Sequence, residues 1–125
     1  MKLRIRGNSI RFRLLQSEVA DLSKTKRISE AISFGAAKDE TLTYAVQISE
    51  KAEAVSAGVC ENEVCVILPT GVASEWIESD QVGIAASIFN GDESLEILVE
   101  KDFVCLTRTD DPDNEDAFPN PDLEC

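Results

Sequence analysis

The chain reads as an α+β protein, with about eight antiparallel strands as a barrel or strongly twisted sheet and two short helices. Three observations lead there. Apolar and polar residues alternate in one short segment after another, as they do in half-buried strands. Two stretches replace that alternation with apolar residues three or four apart beside helix-start chemistry. The pattern of the first half then returns in the second, so that the chain reads as two ββαββ halves.

The segment KLRIRGNSIRFRL, residues 2–14, is a hairpin around Gly7-Asn8. Leu3, Ile5, Ile10, Phe12 and Leu14 fall on one face, and Lys2, Arg4, Arg6, Arg11 and Arg13 on the other. In SEVADLSKTK, Ser17 is the expected N-cap, with Glu18 and Asp21 in the first turn and Lys24 and Lys26 in the last. Val19 and Leu22 form its buried stripe. RISEAISF is a strand aligning Ile28, Ile32 and Phe34, and TLTYAVQI another aligning Leu42, Tyr44, Val46 and Ile48, with GAAKDE as the loop between them.

AVSAGVC and VCVIL form the next hairpin, around Glu61–Glu63. Pro69 ends it, Thr70 caps a helix, and Val72 and Trp76 share one helical face. QVGIAASIF aligns Val82, Ile84, Ala86 and Ile88, and Asn90-Gly91 turns it into SLEILVEKDF, which aligns Leu95, Ile97 and Val99. Phe12-Arg13-Leu14 matches Val66-Ile67-Leu68, Asp21-Leu22 matches Glu75-Trp76 and Arg27-Ile28 matches Gln81-Val82, all at an offset of 54. Leu42, Tyr44 and Val46 match Leu95, Ile97 and Val99 at an offset of 53.

The domain spans residues 1–106, and 107–125 form an acidic, proline-containing tail. The tail holds seven acidic residues and three prolines without periodicity, which excludes regular secondary structure. Phe118 has little use in such a segment unless it docks on the domain. Asp110 to Asp116 lack the glycine and ligand spacing of a calcium loop.

Composition narrows the function classes. The net charge is −12, yet residues 1–27 carry eight basic and two acidic side chains, and 28–125 carry four and twenty-two. A surface of that sign repels nucleic acid and anionic membranes, except at the basic hairpin. No apolar run approaches the roughly 18–20 residues that cross a bilayer, and the amino terminus lacks a secretory signal, so the chain is expected in the cytoplasm.

Four cysteines in that compartment read as thiols. An Asn62-Glu63 turn would set Cys60 and Cys65 face to face with Cα atoms about 4.5 Å apart. They read as two small buried hydrophobes, with a disulfide as the alternative. There is no histidine, and Cys105 and Cys125 sit in no CxxC arrangement, which excludes zinc. Cys105 lacks a positive neighbourhood to activate it. No phosphate loop, nucleophile elbow or dinucleotide fingerprint is present, and no cofactor is expected.

The basic face is the candidate site. Across the Gly7-Asn8 turn Arg4 lies opposite Arg11 and Lys2 opposite Arg13, and such like-charge pairs cost up to about 1 kcal/mol each. Arginine's planar fork suits carboxylate or phosphate, whereas a merely solvated face favours lysine. The forks are met from within, by the tail carboxylates or by Glu96 and Glu100, by a bound anion (a phosphate, polyphosphate, nucleotide or acidic peptide), or by solvent alone. The expectation is a small accessory or binding protein whose anion-binding residues are Lys2, Arg4, Arg6, Arg11 and Arg13. The enzymatic alternative is a metal-dependent phosphohydrolase, with Glu96 and Glu100 on the metal and the arginines on the phosphates. A third reading is an interaction protein whose carboxylates mimic nucleic acid.

MKLRIRGNSIRFRLLQSEVADL and ILVEKDFVCL…DDPDNEDAFPNP resemble a family of small, functionally uncharacterised bacterial proteins, over the whole length. The resemblance implies a bacterial, cytosolic setting, a complete protein over 1–125 and a tail that belongs with the domain. It carries no activity or site residue. In architecture alone, duplicated halves with an arginine-rich face resemble the triphosphate-tunnel (CYTH-like) phosphohydrolases. Those open on alternating glutamates and a lysine, where this chain has KLRIRG.

Overall fold

A computed structural model describes residues 1–103 and 115–119 of the chain. The 106/107 boundary, Cys105, Cys125 and most of the acidic tail lie outside the described residues. The elements are β1 (Lys2–Arg6), β2 (Ser9–Leu14), α1 (Gln16–Thr25), β3 (Arg27–Ser33), β4 (Thr41–Ser49), β5 (Ser56–Cys60), β6 (Glu63–Pro69), α2 (Thr70–Glu78), β7 (Gly83–Asn90) and β8 (Glu93–Lys101). One 3₁₀ turn, Lys38–Glu40, lies between β3 and β4. The protein is α+β, with eight strands and two helices among the described residues.

The strands divide into two sheets, ordered β1-β2-β8-β7 and β3-β4-β6-β5. Hairpin pairs are antiparallel, but the central pairs β2/β8 and β4/β6 are parallel, so both sheets are mixed. Neither closes into a barrel, because each ends in two edge strands. The duplication explains the parallel pairs. Each ββαββ half sends its first hairpin to one sheet and its second to the other, with the helix carrying the chain between them. The pairing Phe12–Val99 in the first sheet thus has its counterpart in Val66–Val46 in the second. Leu3–Phe12 has its counterpart in Ala57–Val66.

The ladders amend the correspondence at one element. Ile28 pairs Val46 as Ile84 pairs Val99, so Ile28 corresponds to Ile84 rather than Val82. Residues 79–82 separate α2 from β7, where Lys26 alone separates α1 from β3.

One core unites the two sheets. Phe12, Leu14, Ile97 and Val99 from the first sheet meet Val46, Ile48, Val66 and Leu68 from the second, with Leu22 and Trp76 from the helices. The Phe12 and Tyr44 rings lie 6.4 Å apart across the interface. Trp76 is fully buried and its Nε1 donates to the Val82 carbonyl at 3.1 Å, so its polar atom costs nothing inside. Ile32 and Phe34, aligned with Ile28 in the sequence pattern, stay exposed at the outer end of β3.

Turns and caps depart from expectation by one or two residues. Gly7 takes φ +53° and Arg6 pairs Ser9, as the Gly7-Asn8 turn requires. The β5–β6 turn is Glu61-Asn62, both at positive φ, which pairs Cys60 with Glu63 and Gly58 with Cys65. Cys60 and Cys65 are therefore diagonal neighbours rather than opposite, and both are free thiols. The β7–β8 turn is Gly91-Asp92, since Asn90 pairs Glu93. Leu15, not Ser17, is the α1 N-cap, and its amide is held by Glu18 Oε1 at 2.9 Å. Pro69, not Thr70, precedes α2.

Asp116 supplies what Ser17 was expected to give. It accepts from the Ser17 amide at 3.0 Å and from the Ser17 hydroxyl, at the start of α1. Phe118 pairs with Phe103 in an isolated bridge, its amide donates to the Asp102 carbonyl at 2.7 Å, and its ring lies 5.4 Å from Lys101 Nζ.

Candidate functional site

The first sheet turns its outer face away from the core, and alternation along four strands fills that face row by row. Lys2, Arg13, Glu100 and Gly83 lie abreast. Next come Arg4, Arg11, Leu98 and Ala85, then Arg6, Ser9, Glu96 and Ser87. The five hairpin cations and both candidate glutamates are thus on one face.

The first row is closed by internal pairs. Arg13 Nε donates to Glu100 Oε1 at 2.9 Å. The same oxygen lies 2.6 Å from Arg11 Nε, an ion pair whose alignment falls outside a good hydrogen bond. Only 12% of the Glu100 side chain is exposed, so water screens these contacts little. Lys2 Nζ lies 3.0 Å from Asp102 Oδ2. Gly83 makes room beside Glu100, since a Cβ there would stand 3.1 Å from the Glu100 Cβ.

Arg4 and Arg6 differ. Both are exposed, and neither guanidinium has an ion-pair or hydrogen-bond partner among the described residues. With Arg11 they line an open groove of about 520 Å³ that also takes in Ala85, Leu98, Ser87 and Glu96. The Glu96 carboxylate accepts from the Ser87 hydroxyl and from Ser94 Oγ at 3.1 Å. The groove thus has a guanidinium side, an apolar floor and an acceptor opposite.

Glu96 and Glu100 share the face without converging. They are two alternations apart on β8, about 13 Å along the strand, and each is engaged by different groups. Among the described residues no three His, Cys, Asp or Glu side chains come together as a metal site. Among the described residues the two open sheets also form no tunnel.

Two further clusters lie elsewhere. On the outer face of the second sheet, Arg27 pairs with Glu63 and donates to Gln47 Oε1 at 3.1 Å and Cys65 Sγ at 3.7 Å. Burial pushes the Cys65 thiol above its ordinary value and Glu63 adds to this, against the opposing pull of Arg27. At the other end, the Met1 ammonium is held by Glu18 and by Glu30 Oε1 at 3.0 Å. Burial opposes its charge, but the two carboxylates outweigh burial and raise its pKa. Glu30 is lowered in return: burial opposes this, and the ammonium and the Tyr44 hydroxyl, which donates to Oε2 at 3.0 Å, prevail.

Asp102, Ser87, Ala85 and Leu98 are site residues that sequence reasoning missed. One signal was present: the first three outward positions of β7, Gly83, Ala85 and Ser87, are all small. That is how a strand leaves space above a sheet.

Among the described residues no helix is long and apolar enough to cross a membrane. The chain belongs to a family of unknown function (DUF7009), whose family model matches residues 1–122. No curated protein and no solved structure matches it.

Proposed function

We propose that the protein is a cytoplasmic binding module whose groove, formed by Arg4, Arg6 and Arg11, receives a small, multiply charged anion of the phosphate class. The observation that carries this reading is the pair of guanidinium groups left without a partner among the described residues. Acidic side chains outnumber basic ones 24 to 12 in this chain, so carboxylate partners are abundant. Glu100 and Asp102 take up Arg11, Arg13 and Lys2. Arg4 and Arg6 stand out against that abundance. Forked donors arranged around a groove suit the oxygens of a phosphoryl group. About 520 Å³ is room for a small ligand. The free thiols of Cys60 and Cys65 suit a reducing compartment.

The test is thermal unfolding at low ionic strength while tripolyphosphate is titrated, with sulfate and matched salt as controls. A ligand at about 100 times its dissociation constant stabilises by about 2.7 kcal/mol, roughly 5–10 °C for a domain of this size. A saturable rise with tripolyphosphate that Arg4→Ala/Arg6→Ala abolishes supports the reading. A rise matched by salt alone, or one that survives the double substitution, refutes it.

A further inference from the structure

Building on the phosphate reading of the groove, we propose that its ligand is a guanine nucleotide, with the phosphates on Arg4 and Arg6, the base stacked on Phe89 and the N–H edge of the base bonded to Glu96. Two groups beside the arginines serve no bare phosphate. The first is Glu96, which stands in the groove wall in the row Arg6, Ser9, Glu96 and Ser87. It is exposed, and among the described residues it pairs with no arginine, although Arg11 is its diagonal neighbour. The Ser87 hydroxyl donates to its Oε2 and Ser94 Oγ to its Oε1 at 3.1 Å, so both oxygens are fixed. A carboxylate held in this way repels a phosphate, yet each oxygen keeps a lone pair for a further donor.

The second group is Phe89. It follows Ser87 as the fourth outward position of β7, on the face turned away from the core. It pairs with Ser94 and so borders Glu96 diagonally. Its side chain is 78% exposed, although it contributes nothing to the core there. A ring standing in water gains by being covered.

These groups match the parts of a nucleotide. Forked guanidinium groups take phosphoryl oxygens. An aromatic face stacks a base, and a carboxylate accepts from base N–H groups. Arg6 on β1 and Phe89 on β7 stand three strand spacings apart, about 14 Å. Leu98 supplies an apolar floor beside that path. Guanine suits Glu96 best, because its ring N–H and its amino group lie side by side and meet both carboxylate oxygens at once. Adenine sets an acceptor beside its amino group, which a carboxylate opposes.

The experiment is isothermal titration calorimetry of the full chain, at low ionic strength and without divalent cations. The ligands are guanosine triphosphate, adenosine triphosphate and tripolyphosphate. Guanosine triphosphate should bind at least about tenfold more tightly than tripolyphosphate, through stacking, and about tenfold more tightly than adenosine triphosphate. Tripolyphosphate carries at least as much negative charge, so charge alone gives no such order. Phe89→Ala should remove most of the advantage of the nucleotides and leave tripolyphosphate affinity unchanged. Glu96→Gln should remove the preference for guanosine over adenosine without lowering tripolyphosphate affinity. Both side chains are exposed, so both variants should keep the fold by circular dichroism. Tripolyphosphate binding as tight as that of guanosine triphosphate overturns the inference and leaves the phosphate reading standing. So does a guanosine preference that survives Glu96→Gln, or a nucleotide advantage that survives Phe89→Ala. Absence of binding by all three ligands overturns both.

Discussion

One carboxylate oxygen of Glu100 answers two guanidinium groups, and the consequences of removing its charge are specific. In Glu100→Gln, Arg11 and Arg13 lose their counter-charge while Arg4 still lies opposite Arg11. The cost is about 2 kcal/mol at low ionic strength, from one charge-assisted bond and renewed like-charge repulsion. Denaturant unfolding should show that loss shrinking as salt is added. The same variant should bind tripolyphosphate more tightly than the wild type, because two more forks are free. The opposition of Arg4 to Arg11 was legible in the sequence, since Gly7-Asn8 dictates it. That Glu100 takes Arg11 and Arg13 was not, because alternation assigns a residue to a face without naming the neighbouring strand. At the thiols, a one-residue turn shift separates Cys60 from Cys65. Cys60 is exposed, whereas Cys65 is half-buried with its pKa raised chiefly by burial. Iodoacetamide labelling with peptide mapping should therefore modify Cys60 faster, by on the order of tenfold or more.

At the scale of elements, helix α1 begins on contacts from three places: Glu18 within it, Met1 before it and Asp116 almost a hundred residues later. Asp116→Ala should cost about 1 kcal/mol in chemical denaturation, the value of an N-terminal acceptor. Sequence reasoning found α1 but, taking Ser17 as its N-cap, began it two residues late, because local chemistry cannot show an acceptor so distant. Pro69 likewise displaced Thr70 as the residue before α2. The Glu30 pair gives a pH dependence. Its folded pKa is below 4.5, so the unfolded chain binds more protons in that range, and stability falls as pH drops through it. Glu30→Gln should flatten that acid limb in denaturation series run between neutral and acid pH. Because Glu30 is substantially exposed, the loss at neutral pH should stay below about 1 kcal/mol.

For the whole molecule, the repeat was legible because core positions recur: Phe12 with Val66, Leu22 with Trp76, and Val46 with Val99. The exchange of hairpins between sheets was not. Alternation is blind to whether a neighbour runs parallel or antiparallel, and an all-antiparallel curl satisfies the same pattern. The exchange sets β8 beside β2 and so brings Glu96, Leu98 and, through β7, Ser87 to the basic hairpin. A face that began as five cations becomes a groove with two of its arginines unmatched among the described residues. The most direct measurement is a tripolyphosphate titration of isotope-labelled protein followed at the arginine Nε–Hε resonances. The account predicts saturable shifts at Arg4 and Arg6, a smaller one at Arg11, and none at Arg27 on the other sheet. Shifts of equal size at Arg27, or none at Arg4 and Arg6, would contradict it.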